Sequence, residues 1–296
     1  MRARIGILFF GLMALLPLGG VQAMGSMIGR MLYRLGHREK HVTRVNLSLC
    51  YPDLDDATRE QMVREVLIEG GRSLAELGPC WLWPVDKVMG LITETVGIKH
   101  VDAADARGKG VVIIGPHMGA WEVAGVWVSQ RYPGSPILYR PPRIKGLDPL
   151  IVKARERTGS RLVPVGRRAV VELLNALQRG TGVGLLPDQE PKQGTGVFAP
   201  FFGIPAYTMV LCSRLVMKTG AAPIFIVAER LPDAAGFRLH LLPAPEPLDT
   251  GSVDTSVAAM NRGVEACVSI NPVQFQWHYK RFNTRPPDEE GETGFY

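Results

Sequence analysis

"VVIIGPHMGAWEVAG", residues 111–125, decides how the chain is read. Val111 to Ile114 form a short β-branched run of strand length, and Gly115 with Pro116 end it. His117 then falls in a turn, and the apolar spacing after Gly119 predicts a helix. A strand–turn–helix unit puts His117 at a strand's carboxyl end, where ligands collect in α/β sheets. Residues five apart on one continuous helix are rotated by about 140° from each other. His117 and Glu122 therefore face one another only if the histidine precedes the helix and the glutamate lies in its first turn or so. Glu122 would then accept the N–H of one ring nitrogen and leave the other free as a base. The duller reading is a capping histidine beside an unrelated early-helix glutamate, and the spacing alone does not decide between them.

The rest of the chain repeats the alternation. Apolar runs "PILY" (136–139), "RLVPV" (161–165), "GVGLLP" (182–187), "PIFIVAER" (223–230) and "FRLHLLP" (237–243) read as strands. Between them lie helical patterns such as "RRAVVELLNALQRG", which stops at Gly180. A long helical region is expected over residues 54–92, beginning on acidic capping residues, with "WLWP" (81–84) inside it. Strands alternating with helices predict an α/β fold, a mostly parallel sheet flanked by helices.

With 296 residues, 46% apolar and 21% charged, the chain can bury a large core and is not expected to be disordered. Its net charge of +6 suits a partner bearing phosphate or anionic lipid without demanding one. Cys50, Cys80, Cys212 and Cys267 lie far apart. That spacing argues against a zinc site or a disulfide scaffold and fits a reducing compartment.

From Ile5 to Met27 no residue is charged, a length that could cross a hydrocarbon core of about 30 Å. The competing reading is a cleaved signal, with Arg2 and Arg4 at its basic end and "VQA" as the cleavage site. Two features favour an anchor. Met27, Met31 and Leu35 continue on one helical face beyond Ala23, and Arg30, Arg34, Arg38, Lys40 and Arg44 outnumber the leading arginines. The positive-inside rule then keeps the body of the protein in the cytoplasm. Pro17 and the Gly19–Gly20 pair weaken a straight helix, so a kinked or shallow anchor is the variant of this expectation. The expected organisation is a membrane anchor over residues 1–35 and one catalytic domain over 36–296.

No G-x-S-x-G elbow, H-E-x-x-H pair or phosphate-binding P-loop occurs. A histidine–carboxylate pair without nucleophile or metal suits a reaction whose substrate brings the nucleophile, such as acyl transfer from a thioester to a hydroxyl.

Five blocks in order, "GPHMGAWEVAG", "LYRPPR", "RERTGSRLVP", "GTGVGLLPDQEPKQGTGVFAPFFGIPAYT" and "NPVQFQWHYKRFNTRP", resemble the bacterial lipid A biosynthesis acyltransferases, the late lauroyl and myristoyl transferases. The resemblance reaches upstream to "REKHVTRVNLSLCYPDLDDATRE" and so covers nearly the whole chain. It implies the acyltransferase superfamily fold with an N-terminal membrane helix. His117 matches the general base and Glu122 the acid that orients it. The arginine best matches Arg157, with Arg155 the less favoured choice, and the later aspartate is Asp188. Acyl carrier protein is the implied donor, and the hydroxyl of a lipid A precursor the implied acceptor. The implied place is the inner membrane, among its lipids, with the catalytic domain on the cytoplasmic side. No cofactor, metal or nucleic-acid partner is implied.

Other residues are candidates with ordinary alternatives beside them. Arg140 and Arg143 could hold lipid phosphates or be surface charges. Phe198, Phe201 and Phe202 could line an acyl tunnel or be core. Relatives acting on lysophospholipids, ornithine lipids or glycolipids keep the acceptor open, as does the choice of coenzyme A as donor. A non-catalytic lipid-binding protein and a hydrolase using the same base are the alternatives from other classes.

Overall fold

The structure, a computed structural model, describes residues 1–142, 144–287 and 294–296. It opens with a helical region: α1 (Arg2–Leu15), α2 (Leu18–Leu35), α3 (His37–Cys50), α4 (Asp56–Leu82) and α5 (Val85–Met89). Then follow β1 (Ile92–Val96), α6 (Ile98–Ala106), β2 (Val111–Ile114), α7 (Trp121–Arg131), β3 (Pro136–Tyr139) and α8 (Asp148–Glu156). Next come β4 (Arg161–Pro164), α9 (Arg167–Gln178), β5 (Gly182–Leu185), β6 (Gly196–Phe201) and β7 (Ile204–Met209). The chain finishes with α10 (Leu211–Thr219), β8 (Ala222–Arg230), β9 (Phe237–Pro243) and α11 (Val253–Ile270).

The α/β expectation is met by a mixed five-stranded sheet of order β1-β9-β8-β2-β5. β2 runs parallel to both β5 and β8, and β1 parallel to β9, whereas β8 and β9 are antiparallel. The antiparallel pair has a simple cause. Only residues 231–236 join the two strands, too few for the crossover that a parallel pair needs. Two expected strands leave the main sheet: β3 and β4 form their own parallel pair. β6 and β7 form a hairpin that packs on α11.

β2 is buried along its whole length and carries the core on both faces. One face packs with Leu173, Leu177, Val264 and Cys267, the other with Val123, Trp127, Phe237 and Leu239. Trp81 and Trp83 are buried in the second of these clusters. Asp55 starts α4 by accepting the N–H of Thr58 at 3.0 Å, as the acidic run before it predicts.

The N-terminus departs from the expected single anchor. Pro17 has no N–H to continue a helix, and the uncharged stretch breaks there into α1 and α2. Among the described residues, no helix is long and apolar enough to cross a membrane. Instead α2 lies against α4 through glycines. A Cβ on Gly29 would stand 2.3 Å from the Leu67 carbonyl oxygen, and one on Gly71 would stand 2.2 Å from that of Gly25. The outward faces stay apolar: Ile5, Leu8, Leu12, Met27, Met31 and Leu35 are all at least half exposed.

Candidate active site

Ile114 and Leu185 are register partners on the parallel strands β2 and β5. Each strand is followed by two residues and then a polar one, in "VVIIGPH" and "GVGLLPD". His117 and Asp188 thus emerge side by side at the carboxyl edge of the sheet. The backbone N–H of His117 donates to Asp188 Oδ2 at 2.9 Å, and its Nδ1 lies 2.8 Å from Oδ1. Burial pushes the Asp188 carboxyl up, but the charge of His117 and two hydrogen bonds from it outweigh that and hold it below the usual range. An ionised carboxylate only accepts, so Nδ1 carries the hydrogen between them, and Nε2 is the ring nitrogen outside that bond. The Asp188 side chain is 2% exposed and that of His117 21%, so the carboxylate is shielded while the imidazole reaches the surface of the site.

The turn itself is clamped. Gly119 has φ 56°, and a Cβ there would meet the Ala228 carbonyl oxygen at 2.2 Å. The N–H of Ala120 donates to that same oxygen at 2.9 Å, and the N–H of Gly119 to the Gln274 carbonyl at 3.0 Å. Gln276 N–H closes on the His117 carbonyl at 3.1 Å, so the block "NPVQFQWHYKRFNTRP" braces the turn that carries His117. Beneath it lies a buried ionic cluster. Arg230, at the end of β8, pairs with Glu69 and, at 2.5 Å, with Glu76, both on α4. Ser73 between them donates to the Gly119 carbonyl at 3.0 Å.

Glu122 occupies the first turn of α7, as its spacing predicts, but its partner is not His117. Arg155 donates to Glu122 Oε1 at 2.6 Å. Arg157, the arginine favoured from sequence, instead donates to the Cys80 carbonyl at 2.7 Å. Two residues apart on a helix point about 200° from one another, so only one of these arginines can reach Glu122. Arg155 is that one.

Two cavities meet at His117 and Trp121. One, of about 370 Å³, is bordered by Glu122, Arg155, Arg140 and the apolar Ile137, Leu138 and Leu186. An apolar recess of about 80 Å³ continues from it under Trp121, between Ile113, Val128 and Ile226. The other cavity, of about 360 Å³, lies between α2, α4 and the C-terminal segment. Both main volumes fall in the range of about 300–1,000 Å³ usual for small-molecule sites.

The phenylalanines do not line either cavity. Phe201 is 1% exposed and stacks edge-on with Phe202 at 5.0 Å, and Phe198 stands 5.2 Å from Tyr207. The hairpin turns Phe201 and Phe202 into the aromatic core with Phe275, Trp277 and Tyr51. Arg140 borders the first cavity, and Arg143 lies outside the described residues. Arg230, Glu69 and Glu76 escaped the sequence reading. Their signals were a charge ending an apolar strand and two carboxylates seven apart on one helix.

His117 is held by a buried carboxylate where two cavities meet, an arrangement with room for two ligands beside one imidazole. The chain belongs to the bacterial lipid A biosynthesis acyltransferase family, whose family model matches residues 2–284. It is 31% identical over 286 residues to the lipid A biosynthesis lauroyltransferase of Escherichia coli K12, covering 95% of this chain and 90% of that one. It is 30% identical over 299 residues to the palmitoleoyltransferase of the same organism, covering 99% and 95%. A phosphatidylinositol mannoside acyltransferase of Mycobacterium tuberculosis matches over 140 residues at 33%, covering 47% of this chain and 42% of that one.

Proposed function

We propose that this acyltransferase moves a fatty acyl chain from the thioester of acyl carrier protein to a hydroxyl of a lipid A precursor, with His117 as general base. The observation that carries the reading is the Asp188–His117 bond, which occupies Nδ1 and leaves Nε2 free on a ring that lines both cavities. Nε2 takes the proton of the acceptor hydroxyl as its oxygen bonds to the thioester carbon. The tetrahedral intermediate then collapses, the carbon–sulfur bond breaks, and the departing thiolate takes the proton back from the imidazolium. Arg155, held by Glu122 at the edge of the first cavity, supplies positive charge where the carbonyl oxygen becomes negative. The acyl chain runs into the apolar recess under Trp121.

A carrier protein as donor is supported by the net charge of +6 and by exposed Arg140, Lys145 and Lys153 close in sequence to the first cavity's lining. The exposed apolar faces of α1 and α2, flanked by Arg30 and Arg34, support association with the inner membrane from its cytoplasmic side. The likeness to a mannoside acyltransferase favours, as second reading, a glycolipid acceptor with the same chemistry.

The test is transfer from labelled acyl carrier protein to a tetra-acylated lipid A precursor, with His117→Ala as control. Labelled penta-acyl product made only by the wild type is expected. Product with a glycolipid alone would move the acceptor, and no His117-dependent product with any lipid would overturn the reading.

A further inference from the structure

His278 is the least explained group near the base. Its Nδ1 is buried and has no hydrogen-bond partner among the described residues. The ring borders the 360 Å³ cavity that also contains His117 and Trp121. Burial lowers its pKa from 6.5 to about 4; Glu39 opposes the shift, while Arg38 and His117 add to it. The ring is therefore neutral near pH 7, and either tautomer suits a hydroxyl, which both donates and accepts. A phosphate, which needs donors, is served less well.

The cavity also shows where its occupant comes from. Leu32 of α2 and Leu74 and Leu77 of α4 line it. Leu74 is at the same time 40% exposed, near the outward apolar face that carries Met31 and Leu35. An apolar surface thus runs into a cavity ending in polar groups, the order of tail and headgroup in a lipid.

Gly70 supports the same assignment. A glycine inside a helix costs about 1 kcal/mol relative to alanine. A Cβ there would stand 3.2 Å from Cε1 and 3.5 Å from Nδ1 of His278, crowding the ring that borders the cavity.

From these observations we infer that the cavity between α2, α4 and residues 274–278 admits the lipid acceptor, and that His278 binds one of its hydroxyls through Nε2, the ring nitrogen that burial does not close off. The inference rests on the acyl-transfer reading above. It places the acceptor and the thioester donor on opposite sides of His117, so that neither must leave for the other to enter.

Two variants test it, His278→Leu and Gly70→Ala, measured as full-length protein with separate titrations of lipid A precursor and acyl carrier protein thioester. Loss of one hydrogen bond predicts a rise of about tenfold in the acceptor KM of His278→Leu, with the donor KM unchanged. His278→Gln, whose amide reaches the position of Nε2, restores most of it. Gly70→Ala raises the acceptor KM while keeping the wild-type melting temperature or exceeding it. Acceptor KM values unchanged in both variants, or donor and acceptor KM rising together, overturn the inference and leave the acyl-transfer reading intact. A wild type that acylates no lipid overturns both.

Discussion

Nδ1 of His117 stands 2.8 Å from Oδ1 of Asp188 although 71 residues separate them, because Ile114 and Leu185 are paired in register three residues before each. The sheet therefore selects the tautomer of His117. That bond also sets the most direct prediction.

Asp188→Asn replaces an acceptor by an amide that can donate to Nδ1 and shift the ring hydrogen to Nε2. A fall in kcat of about 10³–10⁴-fold is expected with the fold retained. Initial rates beside a melting curve decide it, and a rate within a few-fold of wild type would remove Asp188 from the mechanism.

Arg155 and Arg157 separate cleanly. Arg155→Ala strips Glu122 of its partner and lowers kcat/KM by about 10²-fold or more. Arg157→Ala loses only a bond to the Cys80 carbonyl and shows its effect in the melting temperature instead. The reverse pattern would return the role to Arg157.

Arg230→Met leaves Glu69 and Glu76 buried without their common cation. Destabilisation of about 3–5 kcal/mol is expected, read by urea unfolding. A Glu69→Gln, Glu76→Gln, Arg230→Met triple variant recovers part of it. A neutral Arg230→Met would mean that water reaches the cluster.

Gly71→Ala should gain about 1 kcal/mol of helix propensity. Its methyl would nevertheless stand 2.2 Å from the Gly25 carbonyl oxygen. Overpacking of about 1–3 kcal/mol outweighs the gain, so the melting temperature falls. A rise would show that α2 does not sit tightly on α4.

His278 has a folded-state pKa of about 4 against 6.5 unfolded. Between those values the unfolded chain binds more protons, so stability drops as pH falls through this window and is fully present above it. His278→Leu flattens that part of the stability profile. An identical slope in wild type and variant would assign it to other groups.

Much of this was legible in sequence. "VVIIG", "GVGLLP" and "PIFIVAER" are β-branched or apolar runs closed by Gly, Pro or charge, and they became β2, β5 and β8. His117 at a strand's end and Glu122 at a helix's start followed from turn chemistry. Pairing was harder to read. Which carboxylate meets His117 depends on strand order, and nothing local says that β5 lies beside β2. The alignment of "IIGPH" with "GLLPD" carried the hint, since matching spacers beyond paired strands deliver residues to the same level. Choosing Arg155 over Arg157 required the rotation of α8 about its axis. The uncharged N-terminal stretch pointed to one spanning helix, and Pro17, which also left a kinked or shallow anchor open, marks where it divides into α1 and α2.

The delivery of His117 by β2 and of Asp188 by β5 has a consequence for the protein during its own synthesis. A ribosome-bound chain that has emerged only through Gln130 holds the histidine and Glu122 but no aspartate to fix the ring. Under the mechanism proposed above, thioester chemistry waits until β5 has been made and has docked. That mechanism keeps acyl donors safe from half-made chains, its reactivity arriving together with the sheet.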